Sequence, residues 1–190
     1  METAFPVKLF TLAIVLPLAR VVPYICRSTI PGSVTLYVAT AVCVLLRAGN
    51  PYSWSDFVAV ACFAVLWPAI EAGYHKHLMH GGGTNLSAVN HRRHHANPTT
   101  HNGLMPLFPV LLLVSGYWLL ESRPIASTLI VTAMVFLCWY ETTHTLIHLG
   151  WAPRYWSENH ARHHRDHRVN LNVTVPRFTF RKVSANDLLD

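Results

Sequence analysis

Apolar residues gather into five blocks along this chain, over residues 5–25, 34–46, 54–70, 104–120 and 125–140, with the polar residues collected between and after them. A helix crossing a bilayer at right angles needs roughly 17–25 residues at about 1.5 Å each. The blocks therefore predict an all-α integral-membrane helical bundle with four or five spans. The second block is short unless residues 32–48 are counted, and so predicts a re-entrant or thin-membrane helix. "RAGNPYS" after it carries turn chemistry in Gly49, Asn50 and Pro51. "ESRP" is so tight a connection that the last two blocks must form an antiparallel hairpin. Trp54, Trp67, Tyr117, Trp118, Trp139 and Tyr140 lie near block ends, where interfacial aromatic belts form. Lys8 with "LFTLAIVLPLA" has the look of a signal peptide. Hydrophobicity resumes after Arg20 with no small-x-small site, so the expectation is a retained first span kinked near Pro17 and Pro23.

Composition strengthens the membrane reading. Hydrophobic residues make up 52% of the 190 and charged ones only 13%, about half the usual charged share. The net charge of +6 sits beside apolar segments, which points to anionic lipid headgroups as partner and away from nucleic acid. Cys26, Cys43, Cys62 and Cys138 lie in or beside apolar blocks without CxxC spacing, and read as small buried hydrophobes. With no repeat or linker, one domain is expected over 1–190, with N-terminal spans over 1–70 and a chemistry-bearing region over 71–176.

The polar stretches are rich in histidine. Eleven of the thirteen fall in four clusters: "HKHLMH" from His75, "HRRHH" from His91, "HTLIH" from His144 and "HARHH" from His160. The third block ends just before the first cluster, the second cluster precedes the fourth block, and the fifth block returns the chain to the remaining two. All four clusters thus fall on one membrane side. That side also carries most of the Lys and Arg beyond Glu71, against Arg123 alone in the "ESRP" loop. The positive-inside rule makes it cytoplasmic.

On a helix, residues i, i+3 and i+4 share a face. His91/His94/His95, His144/His148 and His160/His163/His164 have that spacing, so each set can aim its nitrogens at one locus. His75 and His80 are five apart, about 140° around an α-helix; His77 and His80 are better spaced by geometry alone. Converging neutral imidazoles are transition-metal chemistry. One zinc takes about four ligands, so some ten histidines imply two metals, with iron, copper and zinc all compatible with nitrogen donors. Isolated histidines near an interface serve as polar anchors or helix C-terminal cations, and His101, His167 and His77 are read so.

"EAGYHKHLMH", "HRRHH", "HTLIH" and "HARHH", in the order HxxxxH, HxxHH, HxxxH, HxxHH, resemble the four histidine boxes of the fatty acid hydroxylase/sterol desaturase superfamily of integral-membrane di-iron enzymes. "NLNVTVP" at 170–176 is similar to the stretch that follows the last box there. The resemblance covers about residues 71–176. It implies ten ligands: His75, His80, His91, His94, His95, His144, His148, His160, His163 and His164. It also implies two iron ions, with zinc as a possible substitute, and O2-dependent hydroxylation (a monooxygenase reaction) of a lipid-like substrate such as a fatty acyl chain, sphingolipid or sterol. "HKHLMHG" is similar to the first box of carotenoid hydroxylases of the same superfamily, and desaturation is the other chemistry of the group. "RFTFRKVSANDLLD" departs from the superfamily's usual ending, which bears on the branch more than on the metal site.

No Gly-rich dinucleotide fingerprint, flavin motif or haem-binding segment is visible, so a separate reductase or electron carrier is expected. "GGG" at 81–83 reads as a flexible link. Glu141, and after it Glu71, Glu158 and Asp166, are candidates to orient an imidazole N–H; Asn170 and Asn172 are expected to fix the backbone after the last cluster. Two readings from other classes are a zinc-dependent lipid hydrolase, for which ten imidazoles are excessive, and a metal transporter, which would place ligands inside the spans.

Overall fold

A computed structural model describes residues 30–98 and 107–175. The first apolar block, Cys26, His101 and the stretch from Pro176 lie outside the described residues. Those described are all-helical: α1 (Ile30–Ala48), α2 (Trp54–Tyr74), a π-helical turn (His75–Met79), α3 (Leu86–Ala96), α4 (Leu107–Leu120), α5 (Pro124–His148) and α6 (Arg154–Arg165). Two stretches, Trp54–Met79 and Pro124–His148, are long and apolar enough to cross a membrane, while α1 and α4 are apolar but shorter.

The chain divides into two compact units, Met1–Val65 with Asn102–Glu141, and Leu66–His101 with Thr142–Asp190. In the first, α1 packs on α4, and Leu36, Cys43, Val110, Tyr117, Val131 and Met134 form the core. The turn between α1 and α2 is built around a buried ion pair. Arg47 Nη2 lies 2.9 Å from Asp56 Oδ1, and the two side chains are 2% and 1% exposed. Arg47 Nε donates to Thr128 Oγ1 at 2.8 Å, and the Thr128 hydroxyl donates to Asp56 at 2.6 Å. Asp56 also accepts from the backbone and hydroxyl of Ser53, and so reaches back over the first turn of α2 as a capping box does. Tyr52 covers the guanidinium, 4.2 Å from ring centroid to Cζ.

The outer faces of α1 and α2 are apolar and exposed, among them Val34, Val38, Leu45, Phe57, Val58 and Val65. The aromatic belt is only partly realised. Trp54, Trp118 and Trp139 are exposed, whereas Trp67, Tyr117 and Tyr140 are each 4% exposed and belong to the interior.

In the second unit the polar clusters are helical too, which is why α2 and α5 outrun their apolar blocks. The Asn85 side chain caps α3 by accepting from Ala88 N at 2.9 Å. Asn97, at φ −144° and ψ 83°, leaves the helical region ahead of Pro98, and α3 ends there. Gly150, at φ 73°, closes α5 in the left-handed conformation that suits glycine. The glycine run is a tight turn: a Cβ on Gly81 would collide with the His77 carbonyl oxygen, so the chain can leave the π turn in this way only through glycine.

Candidate metal centre

All ten histidines expected as ligands come together in the second unit, in two groups. His75, His80, His91, His95 and His163 form the first; His94, His144, His148, His160 and His164 form the second. Within each, one nitrogen per ring lies within 4.8 Å of all the others. The groups adjoin, since the rings of His95 and His164 are 4.3 Å apart.

The partition differs from the sequence expectation that each cluster serves one locus. On α3, His91 and His95 turn to the first group and His94 to the second; on α6, His160 and His164 turn to the second and His163 to the first. At 3.6 residues per turn, adjacent residues diverge by about 100°, so an HxxHH cluster on a helix between two sites divides as an i, i+4 pair and a single residue. Two helices doing this in opposite senses tie the groups together.

The π turn settles the first cluster. His80 N donates to His75 O at 3.0 Å, an i to i−5 bond. One extra residue in the turn brings the fifth residue round to the same side, and the His75 and His80 rings stack with centroids 5.1 Å apart. His77 faces away and is exposed.

Too many ring nitrogens meet at one point for hydrogen bonds alone to account for them. His91 Nε2 is 2.9 Å from His75 Nε2 and 3.0 Å from the Nε2 atoms of both His80 and His95. A ring nitrogen has either one N–H or one in-plane lone pair, so these contacts cannot all be hydrogen bonds. Two tautomers are fixed as well. His75 Nδ1 donates to the Leu171 carbonyl at 2.6 Å and His163 Nδ1 to the Val169 carbonyl at 3.0 Å, which leaves both Nε2 atoms as bare donors toward the centre. In the second group His160 Nε2 lies 2.9 Å from His148 Nε2 and 3.0 Å from His164 Nε2, and His164 Nε2 is 3.1 Å from His94 Nε2. An ion held at about 2.1 Å sets neighbouring ligand nitrogens about 3.0–3.4 Å apart and opposite ones about 4.2 Å apart. The close nitrogen contacts of 2.9–3.2 Å match the neighbouring spacing, and no pair within a group exceeds 4.8 Å, so the residues fit a bound cation.

Electrostatics agree. Burial first, then neighbouring imidazoles, push His95 down to about 2 and His80 to about 4. His164 is held at about 4 by burial and His167. Burial takes His163 to about 3 against the opposing pull of the Val169 carbonyl, and lowers His91 and His160 well below the ordinary imidazole range. These rings are neutral at physiological pH, the form that binds metal.

The other candidates are placed as follows. Glu141 Oε1 accepts from Ser33 in the first unit. Glu158 pairs with Arg154, and Asp166 with Arg168, at the surface. Asn170 and Asn172 do fix the backbone, donating to the carbonyls of Asn159 and Pro68. Two residues carry more than the sequence indicated. His167 packs beside the first group, 4.3 Å from His95 and 5.0 Å from His80 between centroids; its place three residues after His164 was the available signal. Trp67, read as an interfacial residue, donates to Thr174 inside the unit. No family model, curated protein or solved structure matches the chain.

Proposed function

We propose that the protein is an integral-membrane, O2-dependent di-iron monooxygenase. In this reading it hydroxylates a C–H bond of a lipid-like substrate and draws electrons from a separate reductase or carrier. The observation that carries the reading is the pair of adjoining five-histidine groups interleaved on α3 and α6. Nitrogen-only donors suit iron, copper or zinc, and adjoining sites suit binuclear chemistry. Iron, hydroxylation and the lipid substrate rest on the likeness of the four boxes to the fatty acid hydroxylase/sterol desaturase superfamily. Carotenoid ring hydroxylation and desaturation are the alternatives that this likeness leaves.

Bound together, the two irons would supply oxygen activation and C–H oxidation. The chain's own contribution is positional and dielectric. Burial keeps the imidazoles neutral, and the carbonyls of Val169 and Leu171 hold the ring protons of His163 and His75 on the side away from the centre. Each group would hold one ion through its five imidazoles.

The exposed apolar faces support the membrane reading, because only 17% of the apolar window in Trp54–Met79 is buried within the protein. A core helix of a soluble protein would bury most of it. Four or five spans with the histidines on the cytoplasmic side complete the proposal, and the apolar helices give an apolar substrate its route.

The test is lipid extraction from membranes with and without the protein, supplied with ferrous iron, a reductant and either O2 or argon. The expected product gains one oxygen and forms only with O2. Product formed equally under argon by ester or amide cleavage would favour a zinc hydrolase. Metal uptake by protein-bearing vesicles without product would favour a transporter. Zinc in the purified protein is compatible with native iron, since such sites bind zinc more tightly.

A further inference from the structure

Glu71 belongs to neither histidine group, yet it is 4% exposed and its carboxylate is fully engaged. It accepts from the backbone N–H groups of Val173 and Thr174, the latter at 3.1 Å, and from the Thr174 hydroxyl. Two further bonds tie the same stretch to the same helix. Trp67 Nε1 donates to Thr174 Oγ1 at 2.9 Å, and Asn172 Nδ2 donates to the Pro68 carbonyl at 2.6 Å. Trp67, Glu71 and His75 follow one another at four-residue intervals, so the face of α2 that holds this stretch leads to the first ligand. Asn172, Val173 and Thr174 are 3%, 2% and 2% exposed.

The clamped stretch carries the two carbonyls that accept from His75 and His163, those of Leu171 and Val169. Between them Asn170 has φ 51°, the only positive φ of a non-glycine among the described residues. Its side chain is tied to the Asn159 carbonyl. Left-handed backbone at such a residue is costly and persists where the surroundings enforce it.

We infer that Glu71 is a positioning residue for the first group: through the backbone of 169–174 it fixes the tautomer and orientation of His75 and His163. This rests on the metal-centre reading above. Both carbonyls act on first-group ligands, so the effect of Glu71 belongs to that group. Partners that orient a ligand imidazole typically change metal affinity by about 10–100-fold.

The experiment titrates the full-length, metal-stripped protein in detergent with Co(II), following the ligand-field bands and the heat of binding. His94→Ala disables the second group and His80→Ala the first. In the His94→Ala background, Glu71→Gln is expected to weaken the remaining ion by about 10–100-fold, with helical circular dichroism unchanged. In the His80→Ala background it is expected to leave affinity unchanged. Thr174→Val, which removes one donor to Glu71, should shift the same background in the same direction by less, and it carries the comparison if Glu71→Gln does not fold. Equal losses in both backgrounds, or none in either, would overturn the inference. Absence of Co(II) binding by the parent protein would instead overturn the metal-centre reading.

Discussion

In the first unit a buried cation, Arg47, meets a buried anion, Asp56, at 2.9 Å, with Thr128 and Ser53 satisfying the remaining lone pairs. In the second unit ten imidazoles converge with no carboxylate among them. The first arrangement is complete in itself. Desolvated charges are paired and hydrogen-bonded, as buried ion pairs must be. The second has a different chemistry: neutral rings aim Nε2 atoms at one another from about 3 Å, an arrangement that suits a cation between them. One polar cluster closes a fold; the other could hold metal.

The largest effect expected from breaking this contrast is at His163. His163→Ala removes a buried donor from the first group and should weaken that ion by more than the roughly 100-fold upper range of an outer-partner change. It should abolish turnover as well, while exposed His77→Ala leaves both unchanged. Metal analysis with lipid product assays compares them, and equal behaviour of the two variants would contradict the assignment.

Acid should act next, and on the second unit more than the first. His80, His95, His163 and His164 lie below the ordinary imidazole value near 6.5 in the folded chain. Released or unfolded, they take up protons that the folded site refuses, so stability and metal retention are fully present above pH about 6.5. Both should fall as pH drops toward about 4, where His80 and His164 titrate. A pH series of metal retention and circular dichroism checks this; a flat profile across that window would count against neutral, buried ligands.

The expectations from sequence were most accurate where one physical cue sufficed. Apolar blocks located α1, α2, α4 and α5, and Trp54 and Leu120 even mark observed ends. The C-terminal ends of α2 and α5 were missed because hydropathy stops at Glu71 and Tyr140 whereas helical hydrogen bonding continues into the histidines. The set of ten came from the resemblance of the four boxes, since spacing alone paired His80 with His77 as readily as with His75. Their division was not legible, because spacing on a single helix cannot tell one locus from two flanking it. Nor was the π turn, although Gly81 directly after His80 was a local cue to unusual backbone. Glu71 was only a weak candidate, since its partners, the backbone of 173–174, lie about a hundred positions away.

Smaller perturbations sharpen the contrast between units. Arg47→Ala strips Asp56 of its counter-charge in the first unit, and should lower the melting midpoint clearly while the folded fraction keeps its full metal complement. Calorimetry with elemental analysis separates the two readouts, and metal loss in protein that remains folded would argue against independent roles. The smallest effect belongs to Asn85→Ala, which removes the cap of α3 and should cost about 1 kcal/mol of stability with little change in metal affinity. Denaturant titration of the metal-loaded protein reads it.

The most direct measurement is X-ray absorption with elemental analysis on protein reconstituted anaerobically with ferrous iron. Two ions per chain are predicted, each with a nitrogen-dominated shell of about five neighbours at about 2.1 Å. A single ion, or a shell dominated by oxygen or sulfur, would contradict it.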